Sequence, residues 1–294
     1  MKRLFAIGFV IAAIVTAIFL SGCVTSQDWH VTNEGMLEYP NSKCTPEYQL
    51  TTLETAGNYT LYEVIFASRD AQIAGLMRMP KHEEDVPGVV LLPGATVTKE
   101  GEQGLAKYLC SLGYASIAID QRNLGAVDMR GDLQMFLKGE EPTEHKMVHD
   151  ALAAANVLRD QPGIDAEHIV FAGESNGARF AIIACALDPE AHGVFAISTC
   201  GYGIDSAIAS GQLNDPDVIR FYRSIDPDTY LGKISPRKFV MIHSLNDTVI
   251  PYESAQQTYA KASEPKELHT VECATHGYCK GMDAALKTEL EKML

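Results

Sequence analysis

The sequence lacks several features that would have fixed its chemistry outright. It has no Cys-x-x-Cys and no His-Glu-x-x-His, the spacings that bring metal ligands together, so a metal site has little support and no cofactor is called for. Cations are scarce: 24 Lys and Arg stand against 38 Asp and Glu, giving a formal net charge of -14. A nucleic-acid backbone needs Lys and Arg to neutralise it, so a nucleic-acid partner is excluded. There is no internal repeat and no long low-complexity run.

What is present is ordinary globular material. A chain of 294 residues, 46% hydrophobic and 21% charged, suits one large α/β domain better than two small ones and can bury a sizeable core. The N-terminus differs from the rest. Lys2 and Arg3 precede an apolar run from Leu4 to Leu20, followed by Ser21-Gly22-Cys23. A basic start, a hydrophobic stretch and small residues describe a secretory signal over residues 1–22; the bland alternative is an uncleaved membrane anchor. Leu20-Ser21-Gly22-Cys23 resembles the lipobox of prokaryotic lipoproteins. That resemblance implies cleavage before Cys23, lipid attachment to its sulfur and a membrane-tethered protein facing outside the cytoplasm. Cleavage removes Lys2 and Arg3 and no acids, moving the net charge from -14 to -16. Residues 23–57 have no clear periodicity and read as a tether, leaving residues 58–294 as the domain.

An exported chain can keep disulfides. Cys110 and Cys185 fall on apolar helix faces and read as core residues. Cys200, Cys273 and Cys279 lie near loops expected around the site; a disulfide among them fits, with the pairing left open.

Along the domain, residues 60–68 and 71–79 read as two strands. Short apolar runs at 88–92, 114–119, 169–172, 194–198, 239–243 and 268–271 then alternate with helical stretches at 100–112, 144–159, 176–187, 252–262 and 281–294. Residues 121–143 read as a loop and 200–235 as a small cap. This rhythm predicts an α/β fold, a mostly parallel central sheet with helices on both faces. In such sheets the site forms at the carboxyl ends of the strands.

Gly173-Glu174-Ser175-Asn176-Gly177 occupies such a place, between a strand and a helix. Gly-x-Ser-x-Gly alone arises by chance in about one such chain in ten. In a strand–turn–helix context it is a nucleophile elbow: the tight turn exposes the Ser175 hydroxyl, and the glycines avoid Cβ clashes. The helix start offers the Asn176 N–H to an oxyanion. A serine nucleophile needs a base, and the base an orienting acid, in the order Ser, Asp or Glu, His for this fold. Asp247 follows the strand 239–243 and His276 follows the last strand. Asp247 could instead only cap the helix near Tyr252. His243 and His269 compete with His276 but fall inside predicted strands. Glu174 reads as a hydrogen-bonding or packing residue, and Asp120 with Arg122 as an ion pair organising its loop. The second oxyanion donor is expected in the loop after 88–92: Pro93 has no N–H and Gly94 turns, leaving Ala95, with Thr96 as the alternative.

These residues resemble the α/β-hydrolase superfamily, in particular its dienelactone-hydrolase-like and esterase/acyl-peptidase branch. The resemblance runs through Ile73–Pro80, Leu105–Ala115, Asp120-Gln121-Arg122-Asn123-Leu124-Gly125 and Asp150–Gly177, and covers roughly residues 60–290. The loop differs from the family's Asp-x-Arg-Gly-x-Gly at Asn123, and Pro93-Gly94 stands where His-Gly is usual. The resemblance implies Ser175, Asp247 and His276 as triad, Ala95 and Asn176 as oxyanion donors, and a small-molecule ester or similar acyl substrate. Two other functions compete. One is a peptidase of the acyl-peptidase type; such enzymes usually carry an accessory domain, and no segment here is long enough for one. The other is a non-catalytic lipoprotein that binds a ligand or partner in the same pocket.

Overall fold

The structure is a computed structural model that describes residues 29–40 and 42–293. The signal expected over residues 1–22 and the lipid site expected at Cys23 lie outside the described residues.

The described chain opens with a small hairpin, β1 (His30–Val31) and β2 (Leu37–Glu38). An antiparallel run follows: β3 (Tyr48–Thr55), β4 (Tyr59–Ser68) and β5 (Ala71–Pro80). The α/β alternation then begins with β6 (Val86–Leu92), α1 (Gln103–Ser111) and β7 (Ala115–Ile119). It continues through α2 (Met129–Leu137), α3 (Thr143–Arg159), β8 (Ile164–Glu174), α4 (Asn176–Leu187) and β9 (Ala191–Ile197). The last third holds α5 (Ile204–Ala209), α6 (Pro216–Ile225), β10 (Lys238–Ser244), α7 (Tyr252–Lys261), β11 (Lys266–Val271) and α8 (Asp283–Met293).

Strands β3 to β11 form one sheet in the order β11-β10-β9-β8-β6-β7-β5-β4-β3. Neighbours from β11 through β7 are parallel, and β5, β4 and β3 join antiparallel at one edge. The central strands read as unbroken apolar runs because helices cover both faces. Helices α3 and α4 bury Val157, Leu158, Ile182 and Ile183 against Val90, Phe171 and Val194 on one face. Helices α1 and α8 bury Leu105, Leu109, Leu286 and Leu290 against Val89, Val170 and Val240 on the other. Burying a side chain of this size contributes roughly 1.5–3 kcal/mol, so these two layers hold the sheet in place.

The sheet order also fixes where a site can form. From β6 the chain steps to β7 on one side and then returns to β8 on the other. At such a reversal the connections diverge above and below the sheet and leave a crevice at the strand carboxyl ends. The loop after β6 and the elbow after β8 face each other across it.

Three sequence readings change. Residues 29–57, expected within the tether, carry β1, β2 and β3. β3 is an edge strand with nearly every side chain exposed, so it gives no alternating signal. The hairpin is docked by a fully buried Leu37, whose N–H donates to Tyr230 Oη at 2.8 Å. Residues 121–143, expected as loop, contain α2, whose apolar spacing is thin: only Asp132 and Phe136 are buried. The expected Asp120–Arg122 ion pair does not form. Asp120 pairs with Lys99 at 2.7 Å, while Arg122 turns to Asp150 at 2.7 Å and to Asp70. Adjacent side chains on a turning backbone diverge, and each finds a partner from another element. Residues 200–235 form a short helical insertion between β9 and β10. Its α6 starts on Asp215, whose carboxylate caps the Asp217 and Val218 amides, with Pro216 in the first turn.

Candidate active site

Ser175 sits at the N-terminus of α4 with φ 52° and ψ -118°, a conformation that costs a non-glycine residue about 1–3 kcal/mol. The surroundings enforce it. Ser175 N–H donates to Ile197 O at 2.9 Å, and Thr199 Oγ1 donates to Ser175 O at 2.8 Å. The two elbow glycines are required by close approach. A Cβ on Gly173 would lie 2.5 Å from Gly177 C, and one on Gly177 would lie 2.1 Å from Leu92 O. The elbow therefore rests directly on the end of β6.

Asp247 and His276 come together as a hydrogen-bonded pair, Nδ1 to Oδ2 at 2.8 Å. The Asp247 carboxyl is fully buried and accepts two further bonds at Oδ1, from the Val249 and Ile250 amides, both 2.9 Å. Burial pushes its pKa upward, but the Ile250 amide, His276 and the Val249 amide together hold it below the ordinary carboxylate value. It remains charged and can orient an imidazole. Asp247 thus does not cap α7. The competing histidines are occupied elsewhere: His243 Nε2 donates to Ile250 O at 2.9 Å, and His269 contacts Glu289 at 3.0 Å. His276 Nε2 is buried without a hydrogen-bond partner among the described residues. With Nδ1 committed to Asp247, Nε2 is the ring atom left to take a proton.

The His276 loop is fastened at several points. Cys273 and Cys279 form a disulfide on either side of it, which settles the pairing left open by sequence, while Cys200 is a free thiol. Buried Ser244 staples it to the Asp247 loop: its Oγ accepts the Cys273 amide at 3.0 Å and donates to Cys273 O at 3.1 Å. The third fastening is Glu174, beside Ser175. It accepts the Tyr278 amide at 2.8 Å and lies so close to Gly277 that a Cβ there would be 2.4 Å from Oε2. The residue before Ser175 therefore touches both residues after His276. Behind Glu174 lies Glu102, only 3% exposed. Burial, together with the charge and hydrogen bond of Glu174, raises the Glu102 pKa well above the ordinary value, so Glu102 holds the proton of the pair. Ser244 and Glu102 carry no sequence signal, because each works through a contact between distant segments.

On the opposite side is the loop Pro93-Gly94-Ala95-Thr96. A Cβ on Gly94 would be 3.5 Å from Ser175 Cβ, which places this loop against Ser175. Thr96 adopts φ 69°, rare for a β-branched residue, and its N–H donates to Leu124 O at 2.7 Å. The Thr96 amide is thereby engaged, and the Ala95 amide makes no hydrogen bond among the described residues. The 3₁₀ turn at Arg122–Gly125 braces the loop. Gln121 Nε2 donates to Pro93 O, and Gly125 O accepts Asn176 Nδ2 at 3.2 Å. Arg179 holds Asn176 from the other side while lying 4.2 Å over the Tyr202 ring. Leu124 on the 3₁₀ turn, and Leu245 and Val249 on the loop that carries Asp247, are large and exposed.

Residues 33–292 match the family model described as acetyl xylan esterase (AXE1). The chain belongs to that family. The family's description names an esterase. Solved structures agree in fold. Acetyl xylan esterase 1 from Thermoanaerobacterium sp. JW/SL YS485 superposes with a TM-score of 0.69 at 15% identity, over 89% of this chain and 90% of that one. The acetyl xylan esterase from Paenibacillus sp. R4 gives 0.70 at 18% identity, over 86% and 90%. Among curated proteins, the uncharacterized protein YfhR of Escherichia coli (strain K12) is 25% identical over 136 residues, 46% of this chain and 47% of that protein. The chain thus matches about half the length of these curated relatives.

Proposed function

We propose that this protein removes short acyl groups, acetyl foremost, from carbohydrate hydroxyls through a Ser175–His276–Asp247 triad. The acetyl-ester and carbohydrate parts rest on the family's description. One observation carries the triad: the Asp247–His276 bond leaves Nε2 unpartnered among the described residues, on a loop held by Glu174, the residue before the strained Ser175.

In this reading His276 Nε2 takes the Ser175 hydroxyl proton as Oγ attacks the ester carbonyl carbon. The Asn176 and Ala95 amides receive the developing oxyanion; one such donor is worth on the order of 10²–10³ in kcat. His276 then gives its proton to the sugar oxygen, which leaves as the alcohol. Water, deprotonated by His276, attacks the acyl-enzyme and releases the acid. Asp247 fixes the His276 tautomer and stabilises the imidazolium without itself being protonated. We place this chemistry outside the cytoplasm, on a chain cleaved before Cys23 and tethered there by lipid; the Lys2–Cys23 pattern supports that placement.

A panel of p-nitrophenyl esters of increasing acyl length, run beside acetate release from acetylated xylan, tests the reading. Acetyl should be preferred over butyryl and longer chains, and acetate should be released from the polymer. A flat or long-chain preference with no acetate release would overturn the substrate assignment.

A further inference from the structure

We infer that the cavity between the N-terminal hairpin, the β4–β5 turn and the α2, α3 and α6 helices is a second binding site, which takes a pyranose ring of an oligo- or polysaccharide. Its volume is about 790 Å³, and none of the triad or oxyanion residues lines it. That size is within the roughly 300–1,000 Å³ of small-molecule sites.

The chemistry of the wall narrows the ligand. Trp29, the single tryptophan of the chain, lines the cavity together with Phe136. The Trp29 ring is held by Phe136, centroids 6.3 Å apart, and by the edge of His145 at 5.4 Å, so it is a fixed aromatic surface. The charged groups of the wall are balanced: Arg69, Lys146 and Arg220 against Asp70, Glu140 and Glu141. Most are already paired. Arg69 meets Glu141 at 2.7 Å with both side chains under 10% exposed, and Lys146 meets Asp70 at 2.7 Å. An anionic or cationic ligand would have to break these pairs, at a desolvation cost its own charge would scarcely offset. A neutral ring with many hydroxyls fits without breaking them. Paired carboxylates still accept, paired guanidinium and ammonium groups still donate, and the aromatic wall covers an apolar ring face. Arg220 lies 5.2 Å over the Phe136 ring and pairs with Asp217 at 3.5 Å, so it too is held in place.

The cavity is coupled to the site by position. Asp70 on its wall also pairs with Arg122, which opens the 3₁₀ turn that braces Thr96 and Asn176. The inference rests on the carbohydrate-ester reading for its biological sense, but not for its physics.

The test uses the full chain and two unacetylated probes, xylohexaose and chitohexaose, followed by intrinsic fluorescence. Only Trp29 contributes tryptophan emission, so the reporter is in the cavity. A saturable change with either probe is expected, and which probe gives it identifies the saccharide source. Lys146→Ala combined with Glu140→Ala should weaken that binding about tenfold. Trp29→Phe, followed by calorimetry, should do likewise. All variants should keep wild-type turnover of p-nitrophenyl acetate, while kcat/KM on acetylated polymer falls. The inference is overturned if neither probe perturbs Trp29, or if the rim variants bind as wild type does. Ester cleavage without probe binding would remove this site alone. Probe binding without ester cleavage would remove the proposed activity and leave the site.

Discussion

The two sides of the elbow are built differently. The side that carries the proposed acid and base is fastened redundantly: a disulfide brackets the His276 loop, Ser244 staples it to the Asp247 loop, and Glu174 ties it to the Ser175 elbow. The oxyanion side hangs on fewer contacts and on strained backbone. Thr96, Asn123 and Leu124 all have positive φ, and Gln121 alone grips the Pro93 carbonyl. A proton relay tolerates little misplacement of an imidazole, and so many fastenings make it insensitive to the loss of any one. The Ala95 amide belongs to a loop whose shape depends on Gln121, 28 residues further along the chain than Pro93.

The largest effects should come from the shared centre. Ser175→Ala should lower kcat by on the order of 10⁶, measured on p-nitrophenyl acetate with folding checked by circular dichroism. Asp247→Asn should cost about 10⁴, because the amide favours the wrong His276 tautomer. Activity that survives either change would place the chemistry elsewhere.

The next pair separates the two sides. Gln121→Ala frees the Pro93 carbonyl and should reduce kcat by up to about 10² with KM little changed, as expected when a donor shifts by an ångström. Glu174→Gln keeps an oxygen for the Tyr278 amide and should cost less than about tenfold, since the disulfide and Ser244 remain. Joining it with Cys273→Ser/Cys279→Ser should cost more than the two losses combined, because they share one loop. Equal effects of Gln121→Ala and Glu174→Gln would dissolve the contrast.

The smallest effect is on stability against pH. Glu102 keeps its proton in the folded protein well above the ordinary carboxyl value, whereas the unfolded chain has already released it. Over that window the folded state binds more protons, so stability falls as pH rises, by at most about 1.4 kcal/mol per pH unit. Glu102→Gln removes this proton, and its melting temperature should decline less than that of wild type across the same window. An unchanged slope would mean Glu102 is not the proton holder.

The same contrast governed what the sequence revealed. The alternation of apolar runs and helices made the parallel sheet readable, because a strand covered on both faces must be apolar throughout. Ser175, Asp247 and His276 stood out because each follows a strand in the order this fold requires. The edge strand β3 was unreadable for the converse reason: its side chains face solvent and carry no periodicity. Arg122 stands next but one to Asp120 in sequence, yet Asp70 and Asp150 reach it only through the fold. Ser244, Glu102 and Gln121 act through contacts across tens of residues, which no local pattern encodes.

The central claim is that Ser175 is an activated nucleophile. Its most direct test is intact-protein mass after exposure to a fluorophosphonate probe, followed by peptide mapping. One adduct per chain on Ser175 is expected, absent in Ser175→Ala and strongly reduced in His276→Ala. An unlabelled wild type, or label that persists in Ser175→Ala, would contradict it.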